Sequence, residues 1–150
     1  MASIPLPLDN GFLRRQCPDC EREFKWHNGR TPSHPGTPDP AVYFCPYCAH
    51  TAPPDHWWTT EQLAYIEQVG LLEADKVMSE AFRGLEKKTK GGLFEIKVEK
   101  PGSPEPPAPL HEPTDMILVE PPCHPWEPLK ILDDWGKPIH CVICGAAFAV

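Results

Sequence analysis

The longest regular pattern in the chain lies in its middle. Leu63, Ile66, Val77, Ala81 and Leu85 recur at three- and four-residue spacing within each half of residues 58–90, which predicts an amphipathic helix. Thr59, with Gln62 three residues on, forms a capping box. Acid falls early, at Glu61 and Glu67, and base late, at Lys87, Lys88 and Lys90, as the helix dipole favours. Gly70 interrupts the stripe and leaves a kink or two helices open, and Gly91-Gly92 is a stop signal. Beyond it, Phe94, Ile96 and Val98 alternate with Glu95, Lys97 and Glu99, the period-two pattern of a half-buried strand. Residues 101–113 then hold six prolines and read as an extended, semi-rigid spacer.

On either side of this middle the pattern breaks into short β-like runs. Residues 23–26 form a strand pattern, Asn28-Gly29 is a strong hairpin turn, and residues 41–44 read as the returning strand. The proline-rich residues 31–40 would be an excursion near the tip. Towards the other end, residues 128–132 read as a strand, 133–136 as a turn and 138–140 as a return. Residues 1–11 read as a loose lead. The expected organisation is a β module over 12–57, a helix over 58–90, a short strand and proline-rich linker over 91–114, and a second β module over 115–150.

Composition sharpens this picture. The 150 residues include 21 prolines, against a usual share of roughly 5%. Proline donates no backbone hydrogen bond, so one large core is not expected. Small modules of this kind need a staple, either disulfide or metal. The seven cysteines are an odd number, which a pure disulfide framework would not use up. The opening MASIPLPLDNGFLRRQ lacks the basic start and apolar run of a secretory signal. No apolar run approaches the roughly 20 residues that span a bilayer. A cytoplasmic setting is therefore expected, where thiols stay reduced and paired cysteines hold metal.

Six of the seven cysteines fall into Cys-x-x-Cys pairs. Two of these pairs, Cys17-Pro18-Asp19-Cys20 and Cys45-Pro46-Tyr47-Cys48, stand 24 residues apart. Zinc takes four ligands in a tetrahedron, and two residues between cysteines let one tight turn aim both sulfurs at one ion. This layout resembles a zinc ribbon, in which two cysteine knuckles clamp one zinc at the base of a hairpin. The resemblance covers residues 14–50 and implies Cys17, Cys20, Cys45 and Cys48 as ligands. Ribbon knuckles often carry glycine after the second cysteine; here Glu21 and Ala49 stand there. The run Cys45-Pro46-Tyr47-Cys48 also matches the redox motif of glutaredoxins, which would make the chain a thiol oxidoreductase through Cys45 and Cys48. That fold needs a helix running on from the motif, where Pro53 and Pro54 stand instead.

The third pair, Cys141-Val142-Ile143-Cys144, is followed by Gly145, and Cys123 lies upstream. The layout resembles a second, shorter ribbon with three cysteines and one ligand to be found. His124 is the first choice, with His140 and His111 as alternatives; a water in the fourth position would give an open, catalytic geometry with Glu127 as candidate base. Two zinc ions are thus expected. The formal charge of −7 would move to about −10 once four thiolates and three thiolates surround the two ions. Such acidity opposes nucleic-acid binding except through a local patch, and residues 83–100 supply the one basic stretch, with Arg83, Lys87, Lys88, Lys90, Lys97 and Lys100. Trp26, Trp57, Trp58, Trp126 and Trp135 all lie in or beside the cysteine stretches and are expected as small-module core.

The sequence therefore predicts a small zinc-stapled α+β chain: two zinc-ribbon-like β modules joined by an amphipathic helix and a proline-rich linker. The expected function is non-enzymatic, a protein-interaction or adaptor role with a protein partner and no membrane. The alternative is a nucleic-acid-binding accessory protein using residues 83–100. Fold analogy alone identifies no partner.

Overall fold

Each Cys-x-x-Cys pair closes its own short hairpin, and that local rule sets the architecture. The structure is a computed structural model that describes residues 4–27, 40–95, 102 and 104–150. Strands β1 (Phe12–Gln16) and β2 (Glu23–His27) flank the first knuckle and pair from Gln16↔Glu23 to Phe12↔His27. Strands β3 (Tyr43–Phe44) and β4 (Thr51–Ala52) flank the second. After helix α1 (Thr60–Thr89) come β5 (Met116–Val119) and β6 (Leu129–Leu132), with Cys123 and His124 between them. Strands β7 (Ile139–His140) and β8 (Ala147–Phe148) flank the third knuckle.

These pairings differ from the sequence expectation. Residues 41–44 do not return to β2, and residues 138–140 do not return to β6; each pairs across its own knuckle instead. The reason is range. Closing a knuckle orders six residues, whereas a return across residues 28–40 must first close a long loop. The Asn28-Gly29 turn and most of the strand expected at 94–98 lie outside the described residues, and the described Phe94 and Glu95 are not in a strand. β1 and β5, which carry no clean alternation, went unread in the sequence.

A second difference concerns the modules. The long strands form one antiparallel sheet in the order β1-β2-β6-β5, joined by the Lys25↔Lys130 pair between β2 and β6. Residues 5–60 and 110–150 accordingly make one compact unit. Its sheet is two-faced. Phe24, Trp26, Leu129 and Ile131 lie in a buried apolar cluster with Tyr43, Trp57, Ile139 and Val142, so the cysteine hairpins of both ends share one core. Phe24 meets Trp57 edge-on at 5.8 Å, and Trp26 meets Tyr43 at 4.7 Å.

The alternate positions of the same strands carry charge. Lys25, fully buried, donates to Asp9 Oδ2 at 2.9 Å and lies 2.9 Å from Glu112 and 3.0 Å from Asp115. Lys130 donates to the same Asp9 oxygen at 2.8 Å. Arg14 reaches Glu23, Glu112 and Asp115 at 2.7–2.9 Å. Residue 9 and residues 112–115 are thereby fastened to the sheet. The bonds from Lys130 and Lys25 hold the Asp9 carboxyl down at about 2, against the opposing pull of burial. Burial alone would lower the Lys25 ammonium, but its bonds to Glu112, Asp9 and Asp115 raise it.

The helix, expected over 58–90, runs unbroken from Thr60 to Thr89 through Gly70 and Gly84. Gln16 Oε1, on a β1 side chain, accepts from the Thr60 amide at 3.1 Å and so serves an orphan donor of the first turn. Gly91, at φ 78°, ends the helix as a left-handed cap residue does.

Candidate metal centres

The knuckle geometry follows from backbone bonds repeated three times. In the first, the Cys17 amide donates to Arg22 O at 3.0 Å and the Glu21 amide to Cys17 O at 3.1 Å. The same two bonds recur as Cys45 to His50 and Ala49 to Cys45, both 2.9 Å, and as Cys141 to Ala146 and Gly145 to Cys141, at 2.9 and 2.8 Å. Each turn finishes on a left-handed residue: Glu21 at φ 61°, Ala49 at 60° and Gly145 at 75°. The two ribbon-like positions without glycine therefore adopt its conformation anyway, at a strain of roughly 1 kcal/mol each.

These turns bring the predicted ligands together in two groups. Cys17, Cys20, Cys45 and Cys48 form one, and Cys123, His124, Cys141 and Cys144 the other, with all donor atoms of a group within 4.8 Å of one another. The spacings can be tested against the metal. A zinc ion with Zn–S of about 2.3 Å has tetrahedral S···S edges of about 3.8 Å. Cys17 Sγ and Cys48 Sγ lie 3.7 Å apart, as do Cys20 Sγ and Cys45 Sγ. With Zn–N of about 2.0–2.1 Å, a mixed S···N edge is about 3.5 Å; Cys141 Sγ and His124 Nδ1 are 3.5 Å apart. Cys123 Sγ and Cys144 Sγ are closer, at 3.4 Å. Disulfides require about 2.05 Å, and all seven cysteines are free. Donor type and number fit zinc in both groups, and so do the Cys17–Cys48, Cys20–Cys45 and Cys141–His124 edges; the Cys123–Cys144 edge is short.

Of the three candidates for the eighth ligand, the structure brings in His124. His140 instead places Nδ1 3.2 Å from Pro46 O, and His111 is exposed and belongs to neither group. His124 shares a turn with Cys123, and its amide donates to Pro121 O at 3.2 Å.

Electrostatics point the same way. Burial pushes the Cys17 thiol up to about 11 and Cys141 up to about 12, and drives Cys45 well above the usual thiol range. Backbone amides aimed at sulfur pull against this, from Asp19 and Cys20 onto Cys17 and from Tyr47 onto Cys45, at 3.4–3.5 Å. In Cys20 and Cys144 the amide and thiol bonds outweigh burial and lower the thiol. Buried thiols lined with sulfur-directed amides are prepared to ionise against a cation, which would supply the missing counter-charge. No helix follows Cys45 and Cys48: the chain enters β4, so the helix N-terminus that activates a redox cysteine is absent there.

The two groups are linked through their knuckles. The Phe44 amide donates to Val142 O at 2.9 Å, and the His140 amide donates to Pro46 O at 2.8 Å. In each case the residue before one knuckle's first cysteine bonds the residue after the other's, a reciprocal two-fold pattern. Tyr47, inside the second knuckle, accepts from the Leu132 amide at 3.0 Å and donates to Glu23 O at 2.7 Å, bridging β2 and β6. Sequence reasoning missed this junction and the Asp9 network, because neither has a local signature. Comparison with protein-family models, curated proteins and solved structures finds no match.

Proposed function

We propose that this chain holds two structural zinc ions and acts, without catalysis, as a protein-interaction or adaptor module. One observation carries the reading: two complete four-donor sets, with tetrahedral edge lengths at Cys17–Cys48, Cys20–Cys45 and Cys141–His124. Four protein ligands saturate zinc and leave no position for water or substrate. The metal's work is then to close the knuckles over a core too small to stand alone. A reducing, cytoplasmic setting suits the seven free thiols. No helix among the described residues is long and apolar enough to cross a membrane. The adaptor role draws support from α1, which leaves Leu63, Leu71, Val77, Met78 and Leu85 exposed.

Native mass spectrometry of the freshly purified chain tests the metal content. Two zincs per chain are expected, with loss of the folded charge-state distribution after a strong chelator. Cobalt substitution tests saturation: the visible bands should be intense and unmoved by azide. An azide-dependent shift would reveal an open coordination position and overturn the non-catalytic reading.

A further inference from the structure

Helix α1 has two apolar sides. Val69 and Leu72 lie along one side and are half-buried. On the opposite side, Leu71, Val77, Met78 and Leu85 are 55, 66, 54 and 41% exposed. A single-sided surface helix would be polar there. Leu71, Met78 and Leu85 stand seven residues apart, as do Ala74 and Ala81, and Gly70, Val77 and Gly84. That is the repeat of a helix seam packed against another helix. Gly70 and Gly84 sit mid-helix, where glycine weakens the helix relative to alanine, and a Cβ at either would meet nothing within 4 Å in this chain.

We propose that this face pairs with the same face of a second copy, antiparallel, about an axis between Val77 and Met78. The face is self-complementary only in that sense. Antiparallel pairing about this point sets Leu85 of one copy opposite Gly70 of the other, Ala74 opposite Ala81, and Val77 opposite Met78. Leu71 and Leu85 each meet a glycine, Ala74 meets Ala81 and Val77 meets Met78, so the bulkiest leucines fall where the facing helix has no side chain. At its two ends Glu67 faces Lys88, giving two opposite-charge contacts per dimer. A parallel pairing fails on the same residues: it would set Gly70 against Gly70, Glu67 against Glu67 and Lys88 against Lys88. The proposal deepens the adaptor reading by naming a partner, and it rests on α1 alone rather than on the metal centres.

The test is sedimentation equilibrium of the zinc-loaded full chain, with native mass spectra reporting oligomer and zinc count separately. The wild type should be dimeric at micromolar concentration, and Val77→Glu monomeric with helix content and two zincs retained. Glu67→Lys or Lys88→Glu alone should weaken the dimer roughly tenfold or more, and the double swap should restore it. A wild type monomeric at 100 μM (on the order of the strongest concentration at which specific association would matter) overturns the proposal and leaves the face to a different protein. So does a dimer indifferent to both charge reversals. A zinc count other than two, with dimerisation intact, would sink the metal reading and leave this one standing.

Discussion

The two metal centres use one turn and embed it differently. In the N-terminal group Cys17 and Cys45 are buried, and Trp57, Phe24 and Tyr47 belong to the same core cluster. In the C-terminal group Cys141 alone is buried, while Cys123 and Cys144 are exposed. Its nearest described ring contact is His124 against Trp126, at 5.3 Å. Donor sets differ too: four thiolates around zinc carry −2, three and an imidazole −1. The lesson is that coordination geometry is set by six residues of backbone, whereas the consequence of losing the metal is set by what the sulfurs are buried in. One centre doubles as core; the other lies at the rim.

The largest expected effect follows from that contrast. Cys45→Ser breaks the first tetrahedron at a fully buried sulfur, and a structural zinc supplies about 10 kcal/mol or more, comparable to the whole stability of a domain. We expect this variant to lose the sheet's cooperative unfolding transition. Cys144→Ser should lose one zinc and keep a cooperative, lower-melting fold. A stepwise chelator titration of the wild type should likewise release the C-terminal ion first. Equal destabilisation by the two variants, or release of both ions in a single step, would erase the distinction between the centres.

A smaller effect separates the metal from the junction between the halves. Asp9 holds Lys25 of the first half and Lys130 of the second without belonging to either donor group. Asp9→Asn should cost about 3 kcal/mol, the usual consequence of breaking a buried ion pair, with both zincs retained. Its pH dependence has a definite sign. The native carboxyl ionises at about 2, below its ordinary 3.8, so its contribution is fully present above 3.8 and is lost as the pH falls towards 2. The gap between wild type and variant in denaturant titrations should therefore stay constant from pH 8 to pH 5. A gap that closes already at pH 6 would mean that Asp9 is not held in this way.

What could be read from the sequence was what is local. The Cys-x-x-Cys pairs, the helix and the adjacency of Cys123 and His124 are each local patterns, and the chain places them where the pattern pointed; the predicted helix stripe is instead largely exposed, at Leu63, Val77 and Leu85. Strand partners could not be read in the same way. β1 reads Phe12-Leu13-Arg14-Arg15-Gln16, which shows no alternation because Arg15 shares the apolar side with Leu13, its guanidinium 5.4 Å from the Trp26 ring. Lys25 and Lys130 interrupt otherwise apolar strands and look like solvent-facing positions, yet both are buried, because partners from residues 9 and 112–115 arrive from elsewhere in the chain. The single sheet depends on these non-local contacts, and so the expectation of two separate ribbons could not be corrected from sequence pattern alone.

The finest comparison is between the left-handed residues that finish the knuckles. Gly145 is costly to replace: besides its φ of 75°, a Cβ there would sit 2.6 Å from Phe44 Cδ1, in the seam between the second and third knuckles. Ala49 occupies the equivalent position at φ 60°. Ala49→Gly should relieve roughly 1 kcal/mol of backbone strain and return part of it as added freedom of the unfolded chain. A net gain of about 0.5 kcal/mol is expected, read as a small rise in denaturation midpoint at fixed zinc, while Gly145→Ala lowers the midpoint. If Ala49→Gly instead destabilises the protein, its methyl group does packing work that outweighs the strain, and the equivalence of the knuckles ends at their hydrogen bonds.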